Sequence, residues 1–253
     1  MENPKILVIG DSCIDTYRIG TVTRLSPEAP VPIIRVIDEF ELPGMCANVN
    51  KNINKLGFET EFITNKETIS KLRYIDQKSG QHLLRVDIEN NLVPYDSIKT
   101  LNLNQFDLVA ISDYNKGFMS YDLIEYICYS SPCPVFIDTK KQELKHFNYT
   151  NTFIKINEIE FEALKSRPAN LIVTLGKDGA KCIQGNNSRL FSTDKVEVLD
   201  VCGCGDTFLA ALSVKYMLTK NIEKSIIYAN KAAGITARHR GNYAPTIKEI
   251  DCA

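Results

Sequence analysis

Neither sign of charge is in surplus in this sequence. Thirty Lys and Arg residues face 31 Asp and Glu, a formal charge of −1. No bulk field recommends nucleic acid or an anionic membrane as a partner, so any anionic ligand must be held by local groups. Long apolar runs are missing too. Nothing approaches the roughly 20 apolar residues of a membrane span. The apolar run in the opening MENPKILVIG is too short for a secretory signal. The eight cysteines (Cys13, Cys46, Cys128, Cys133, Cys182, Cys202, Cys204 and Cys252) are scattered, with no pair of C-x-x-C elements. A reducing cytoplasm with free thiols is the expected setting. Cys202 and Cys204 lack a nearby His or Cys that would complete a zinc site. His82, His146 and His239 are isolated, and no metal role is expected of them. Internal repeats, linkers and low-complexity stretches are absent as well.

What is present describes an ordinary globular chain. Of its 253 residues, 44% are hydrophobic and 24% charged, enough to bury a sizeable core in one large α/β domain or two small ones. Strand-length apolar runs fall at 5–9, 107–111, 135–138, 152–156 and 171–175. Several are continuous rather than alternating, as strands buried on both faces are. Helical patterns lie between and after them, at 44–56, 120–129, 158–165, 206–218 and 222–238. This alternation predicts a parallel sheet covered by helices. Two segments break the rhythm. Residues 16–38 carry Pro27, Pro30 and Pro32 before a strand-like 33–37, and 71–88 reads as a hairpin turning near Gly80. Together they predict a small β element that closes over the sheet as a lid and excludes water. The asparagines at 48, 50, 52 and 54 sit inside a helical pattern and read as compositional drift.

The segment Asp200-Val201-Cys202-Gly203-Cys204-Gly205-Asp206-Thr207 runs straight into an apolar helix. Glycines at 203 and 205 permit a tight turn and close backbone approach to a ligand. The first amides of the helix have no intrahelical partners, and with the helix dipole they form a site for anionic oxygen. A carboxylate placed there, Asp206, suits the removal of a proton from an attacking hydroxyl. The same pattern is equally a plain N-cap after a glycine turn.

With the order of the other segments, this motif resembles the ribokinase-like (phosphofructokinase B) family of carbohydrate kinases, whose D-x-x-G-[AS]-G-D precedes a helix near the C-terminus. Asp200, Gly203, Gly205 and Asp206 match it, with Cys204 at the Ala/Ser position. The resemblance implies a three-layer α/β sandwich with a mostly parallel central sheet and a small β lid, here one domain over 1–253. It also implies ATP and Mg²⁺ as cofactors, an anion hole from the amides of Gly203, Cys204, Gly205 and Asp206, and Asp206 as the base. The closest branch is the bacterial D-glycero-β-D-manno-heptose 7-phosphate kinases, which phosphorylate the C1 hydroxyl in making lipopolysaccharide or capsule precursors. Its G-D-x-x-x-D-x-Y and R-[IL]-S-P-E-A-P-V-P signatures are similar to 10–17 and 24–32 of this chain. Blocks at 43–49, 71–73, 84–87, 112–117, 138–140, 157–160 and 174–179, then Asn230 and 232–234, resemble further family elements.

The implied nucleotide side comprises Asn157, Glu158, Ile159, Glu160, Thr174, Gly176, Gly179 and Asn230, with Asn157 and Glu160 reaching the metal through water. The implied substrate side comprises Asp15, Arg24, Gly44, Asn48 and Asp113, with Lys71, Arg73, Arg85, Lys116 and Lys140 as candidate phosphate ligands. Plainer roles stand beside these. Asn157 and Glu160 also form a capping pair, Asp113 and Lys116 suit a turn, and Arg85 can pair across its hairpin. Thr174 and Gly176 are also a strand end and its turn. The chain departs from the family in four places, one of them a short loop after Glu162. The G-x-D-x-x-G segment and its helix-strand unit are missing after Asn65. Met45 replaces a glycine and is expected to crowd the sugar. The run 241–244 replaces a Gly/Thr-rich end of the nucleotide pocket. The nucleotidyltransferase domain often fused to this branch has no counterpart in these residues. The expected partner is a small sugar phosphate rather than nucleic acid or membrane, with a homodimer formed through the lid. A kinase for another sugar, or an impaired sugar-phosphate-binding relative, remains open beside the heptose reading.

Overall fold

A computed structural model describes residues 3–97 and 101–253. The five apolar runs become parallel strands of one sheet, β1 (Ile6–Gly10), β7 (Leu108–Asp113), β8 (Val135–Thr139), β9 (Thr152–Asn157) and β10 (Asn170–Thr174), and β4 (Thr60–Thr64), which the sequence did not mark, joins them in parallel beside β1. An antiparallel edge hairpin, β11 (Ala180–Gln184) and β12 (Asn187–Phe191), extends it to eight strands in the order β12-β11-β10-β9-β8-β7-β1-β4. Every residue of β1, β7 and β8 is buried, which explains why their sequences do not alternate.

The two-residue period of a strand sorts those side chains into two cores. Ile6 and Val8 pack with α1 (Cys46–Lys55), α4 (Cys204–Thr219) and α5 (Ile222–Ala237). Leu7 and Ile9 point the other way and pack with Leu123, Ile124 and Ile127 of α2 (Tyr121–Ser130). The result is the helix-covered sheet that the alternation predicts and the three-layer α/β sandwich that the resemblance implies, completed by the short helices α3 (Glu158–Glu162) and α6 (Ile247–Asp251). Among the described residues no helix is long and apolar enough to cross a membrane.

A separate four-stranded sheet, in the order β3-β2-β5-β6, stands on the end of β1. Its strands are β2 (Ser12–Leu25), β3 (Pro32–Met45), β5 (Ser70–Asp76) and β6 (His82–Ile88). The first two are longer than the proline-marked segment suggests. Pro27 and Pro30 fall in the connection, Pro32 opens β3, and Pro43 lies within β3 opposite Ile14. Because β3 is at the sheet edge, its prolines leave no ladder donor missing. Where the family's extra unit is absent, only 65–69 joins β4 to β5. Asn65 ties this short link down: its Oδ1 accepts from Ser12 N at 2.7 Å, and its Nδ2 donates to Glu67 O at 2.6 Å.

Candidate active site

The strand ends set the floor of the site. In an open parallel sheet the carboxyl ends of the strands gather where ligands bind, and here β1, β7, β8 and β9 finish beside the head of α4. The chain reaches that head through Asp200. Burial works against its ionisation, but amide donation from Cys202 and Gly241, both at 2.9 Å, holds its carboxyl below the usual range. Gly203 then turns with φ 75° as the N-cap of α4. A Cβ there would stand 2.8 Å from Asn48 Nδ2 and in left-handed backbone, so both space and conformation ask for glycine.

Asp206 lies in the first turn of α4 and is only 5% exposed. Asn48 Nδ2 donates to its Oδ2 at 2.9 Å, and the Tyr114 hydroxyl donates to its Oδ1, also at 2.9 Å. Burial pushes its carboxyl up to about 6; Asn48 pulls back, Asp138 adds to the rise, and Tyr114 and Lys155 oppose it. The balance is a carboxylate still ionised at neutral pH yet a much better base than an exposed aspartate. Cys204 beside it is no rival nucleophile, since burial pushes its thiol up to about 12. All eight cysteines are free thiols.

The asparagine row is not drift. Asn48 and Asn52, one helical turn apart, are buried on the face of α1 toward α4. Asn52 Nδ2 donates to Asn48 O at 2.8 Å, and its Oδ1 accepts from the Thr207 hydroxyl at 3.0 Å. Asn50 and Asn54 make the equivalent contact on the outer face. A helical period thus divides the row into a site-positioning pair and a surface pair.

On the side of the small sheet, Asp15 is buried in an ion pair with Arg73, whose guanidinium stands 5.3 Å from the Tyr17 ring. Asn242 Nδ2 donates to Asp15 Oδ2 at 2.7 Å and to Pro43 O at 3.0 Å. This corrects the sequence-based placement of 241–244 at the end of the nucleotide pocket, because Asn242 serves the opposite side. Gly44 faces Asp15 directly, and a Cβ would collide with its Oδ2 and stand 2.6 Å from Cys13 Sγ. Met45 does not crowd the sugar side as expected. Its side chain is 2% exposed and packs in the core with Leu7, Ile9 and Cys13, at the expense of φ 59°.

Tyr114 was not singled out as a site residue from sequence, yet it joins the small sheet to the large one. Lys71 of β5 and Lys140 after β8 stand with Nζ 5.1 and 5.2 Å from its ring centroid, within cation–π range. Its own amide donates to buried Asp11 Oδ2 at 2.7 Å, which holds the loop at the end of β7. Tyrosine inside a turn after a strand carries no periodic signal, so only the fold reveals its contact.

Other sequence-selected residues sit differently. Asp113 is a buried post: it accepts from the Thr139 hydroxyl at 2.6 Å and pairs with Lys141 at 3.0 Å. Lys116 pairs with Glu89 at 2.5 Å, and Arg85 is exposed and holds Asp87 at 2.8 and 2.9 Å. Arg24 is exposed near the far end of β2, nine positions beyond Asp15, or roughly 30 Å along an extended strand. None of these four bonds to the Asp206 carboxylate, whose partners are Asn48 and Tyr114.

Beyond Gly205 opens a cavity of about 410 Å³. It brings together Thr174, Gly176, Gly179, Cys204, Gly205 and Asn230, with apolar walls from Val196, Val198, Val201, Phe208, Ala233 and Ala237. Asn230 is also a tie, donating to Phe191 O at 2.9 Å. A Cβ on Gly179 would strike that same Phe191 carbonyl. The valines at 196–201 lie in an irregular run and gave no sequence signal. Asn157 and Glu160 form a full capping box at the start of α3: Asn157 N donates to Glu160 Oε2 and Glu160 N to Asn157 Oδ1, both at 2.8 Å. Glu160 also pairs with Lys140. Glu158 and Ile159 are exposed on the first turn, and none of the four residues 157–160 lines the cavity. Among the described residues no cluster of three His, Cys, Asp or Glu forms a metal cage. A magnesium ion bound with nucleotide asks the protein for only one or two carboxylates; Glu160, whose Oε2 accepts from Asn157 N and whose Oε1 pairs with Lys140, is the carboxylate that the resemblance implies for it.

Comparison with known proteins agrees with this geometry. The pfkB family carbohydrate kinase description matches residues 49–249. The curated protein "Bifunctional protein HldE" of a Nitratiruptor species is 31% identical over 302 residues, covering 98% of this chain and 64% of that protein. The protein of the same name from Sulfurimonas denitrificans is 30% identical over 306 residues, with 98% and 64% covered. The chain thus spans just under two thirds of the length of these relatives. Among solved structures, Arabidopsis thaliana ribokinase complexed with ribose and ATP superposes with TM-score 0.73 at 16% identity, covering 99% of this chain and 98% of that one. Phosphofructokinase-2 from Escherichia coli, in complex with substrates and products, gives TM-score 0.75 at 14% identity, with 99% and 98% covered. At such identities the likeness is one of fold.

Proposed function

This chain belongs to the pfkB family of carbohydrate kinases, and from that premise we propose that it transfers the γ-phosphoryl group of ATP to the C1 hydroxyl of D-glycero-D-manno-heptose 7-phosphate. The observation that carries the reading is Asp206 itself. A buried carboxylate sits at the head of α4, its two oxygens held by Asn48 and Tyr114, with a nucleotide-sized cavity starting one residue away at Gly205.

Phosphoryl transfer relies on positioning and charge neutralisation. ATP lies in the cavity with its base against the valine and alanine walls, and the amides of 203–206 receive the moving phosphoryl group. Asp15 and Asn48 hold sugar hydroxyls, so that the attacking one reaches Asp206. Asp206 takes its proton. Lys71 and Lys140, exposed to the site across Tyr114, are the cations best placed for the phosphate already on the sugar. Asn157 and Glu160 would hold a magnesium ion through water, and that ion would supply neutralising charge to the ATP phosphates. The heptose assignment draws on the 24–32 signature and on relatives aligned over almost the whole chain.

The small sheet is the lid of this scheme. Its exposed apolar residues, among them Val36, Phe40, Leu84 and Val86, and its two open edges favour pairing with a second copy. A monomeric mass in sedimentation at working concentration would argue against that dimer. Phosphorus NMR of the product with the heptose phosphate, beside fructose phosphates and ribose, tests the reaction and the position phosphorylated. A new anomeric phosphate is expected. Tight sugar-phosphate binding without turnover on any of them would instead indicate a binding protein.

A further inference from the structure

Beneath the head of α4 lies an ammonium to which the scheme so far gives no task. Lys155, in β9, is 4% exposed, and its Nζ donates to Asp138 Oδ2 at 2.6 Å. Asp138, in β8, is also 4% exposed, and its second oxygen, Oδ1, has no hydrogen-bond partner. On its other side the ammonium stands 3.0 Å from the place a Cβ on residue 205 would occupy. Lys155 therefore faces the underside of the glycine turn whose amides receive the phosphoryl group.

Burying such a pair is unfavourable unless further contacts complete it, since desolvation rivals the attraction between the charges. Two apolar residues at these positions would serve a purely structural core better. A carboxylate left half-satisfied, against an ammonium pressed to the anion hole, is a pair completed by something outside the fold. The position also explains why residue 205 is glycine although its backbone is ordinary helix: any side chain would press on the ammonium.

We propose that Lys155 is part of the phosphoryl-transfer site, a fixed positive charge under the anion hole that opposes the negative charge of the migrating group, with Asp138 as its anchor. This rests on the kinase reading. In the step, the sugar oxygen bonds to the γ-phosphorus as the bond to the β–γ bridging oxygen breaks. The hydroxyl proton passes to Asp206, ADP leaves, and Lys155 keeps its proton throughout. A pre-set charge in a water-poor site needs no reorganisation as the reaction proceeds, and removing one such donor typically slows reactions about 10²–10³-fold.

The test compares wild-type protein with Lys155→Met and Lys155→Arg by titration calorimetry, using ADP alone and ADP with aluminium fluoride, which mimics the phosphoryl group in transit. Lys155→Met should bind ADP within about threefold of wild type but lose about 100-fold in affinity for the fluoride complex, whereas Lys155→Arg should lose less than about tenfold. Equal losses with both ligands, no loss with either, or a wild type that binds the two alike would overturn the proposal. Because Lys155→Met strands a buried carboxylate, the double variant Lys155→Met/Asp138→Asn is measured with it. Recovery of wild-type preference for the fluoride complex in that variant would show that Lys155 only satisfies Asp138, and would refute the assignment. The binding arm uses no sugar. Failure of the wild type to phosphorylate the heptose phosphate would therefore count against the substrate reading alone.

Discussion

Replacing Tyr114 with phenylalanine isolates one hydrogen bond at the proposed base. The ring, and its contacts with Lys71 and Lys140, remain; the donor to Asp206 Oδ1 is lost. That donor favours the ionised carboxylate, so its loss raises the Asp206 pKa above the present value of about 6. A hydrogen bond to a charged group is worth about 1.5–3 kcal/mol, and one pKa unit corresponds to 1.36 kcal/mol. Because water replaces part of the lost bond, a rise of about one unit is expected. The ionised fraction at pH 6 then falls from about one half to about one tenth, near pH 7 from about 0.9 to one half, and at pH 8 it barely changes. Tyr114→Phe should therefore be about fivefold slower at pH 6 and nearly normal at pH 8. ADP release coupled to a dehydrogenase, read from pH 5 to 9 as kcat/KM, measures this. An acid limb that stays where the wild type has it, or a loss uniform across pH, would refute the assignment of Asp206 as the titrating base.

Asp206→Asn should be more stable than wild type at pH 7.5 by up to about 3 kcal/mol, because the raised pKa means that the folded state bears an ionised group it disfavours. The gain should shrink as pH falls through 6 and vanish below about 4 in urea melts, where the wild-type carboxyl is protonated both folded and unfolded. Gly44→Ala, whose new methyl collides with Asp15 Oδ2, should raise the sugar KM at least about tenfold and leave the ATP KM within about twofold, checked by initial-rate kinetics. Met45→Gly removes about 1–3 kcal/mol of strain at φ 59° but forfeits about 2–5 kcal/mol of core packing, so net destabilisation is expected in thermal unfolding. Cys204→Ser should keep kcat within a few fold, since the proposed hole uses the backbone amide there and the thiol's hydrogen bond goes to Ala233 O at 3.7 Å.

Much of the sheet was legible because burial on both faces leaves continuous apolar runs, such as 5–9 and 135–138. The head of α4 was legible because glycine at 203 and carboxylate at 206 answer local backbone needs. What sequence could not show depends on contacts across long separations. Asn242 reaches Asp15 across 227 positions, and Thr207 reaches Asn52 across 155. No local pattern marks such pairs, so the asparagine row looked like drift until α1 packed on α4. Lys155 lies in β9 between the apolar Ile154 and Ile156, and its role emerges only from what stands above it. The edge hairpin of β11 and β12 was missed because β12, Asn-Ser-Arg-Leu-Phe, is exposed except for Phe191 and lacks a clear apolar face. Prolines misled in the opposite direction, since an edge strand such as β3 tolerates them.

Single-turnover transfer by Asp206→Asn, with saturating ATP and the heptose phosphate, tests the central claim most directly. The account predicts a phosphoryl-transfer rate lower by about 10²–10⁴-fold with ATP affinity preserved. Transfer within about threefold of wild type would contradict it.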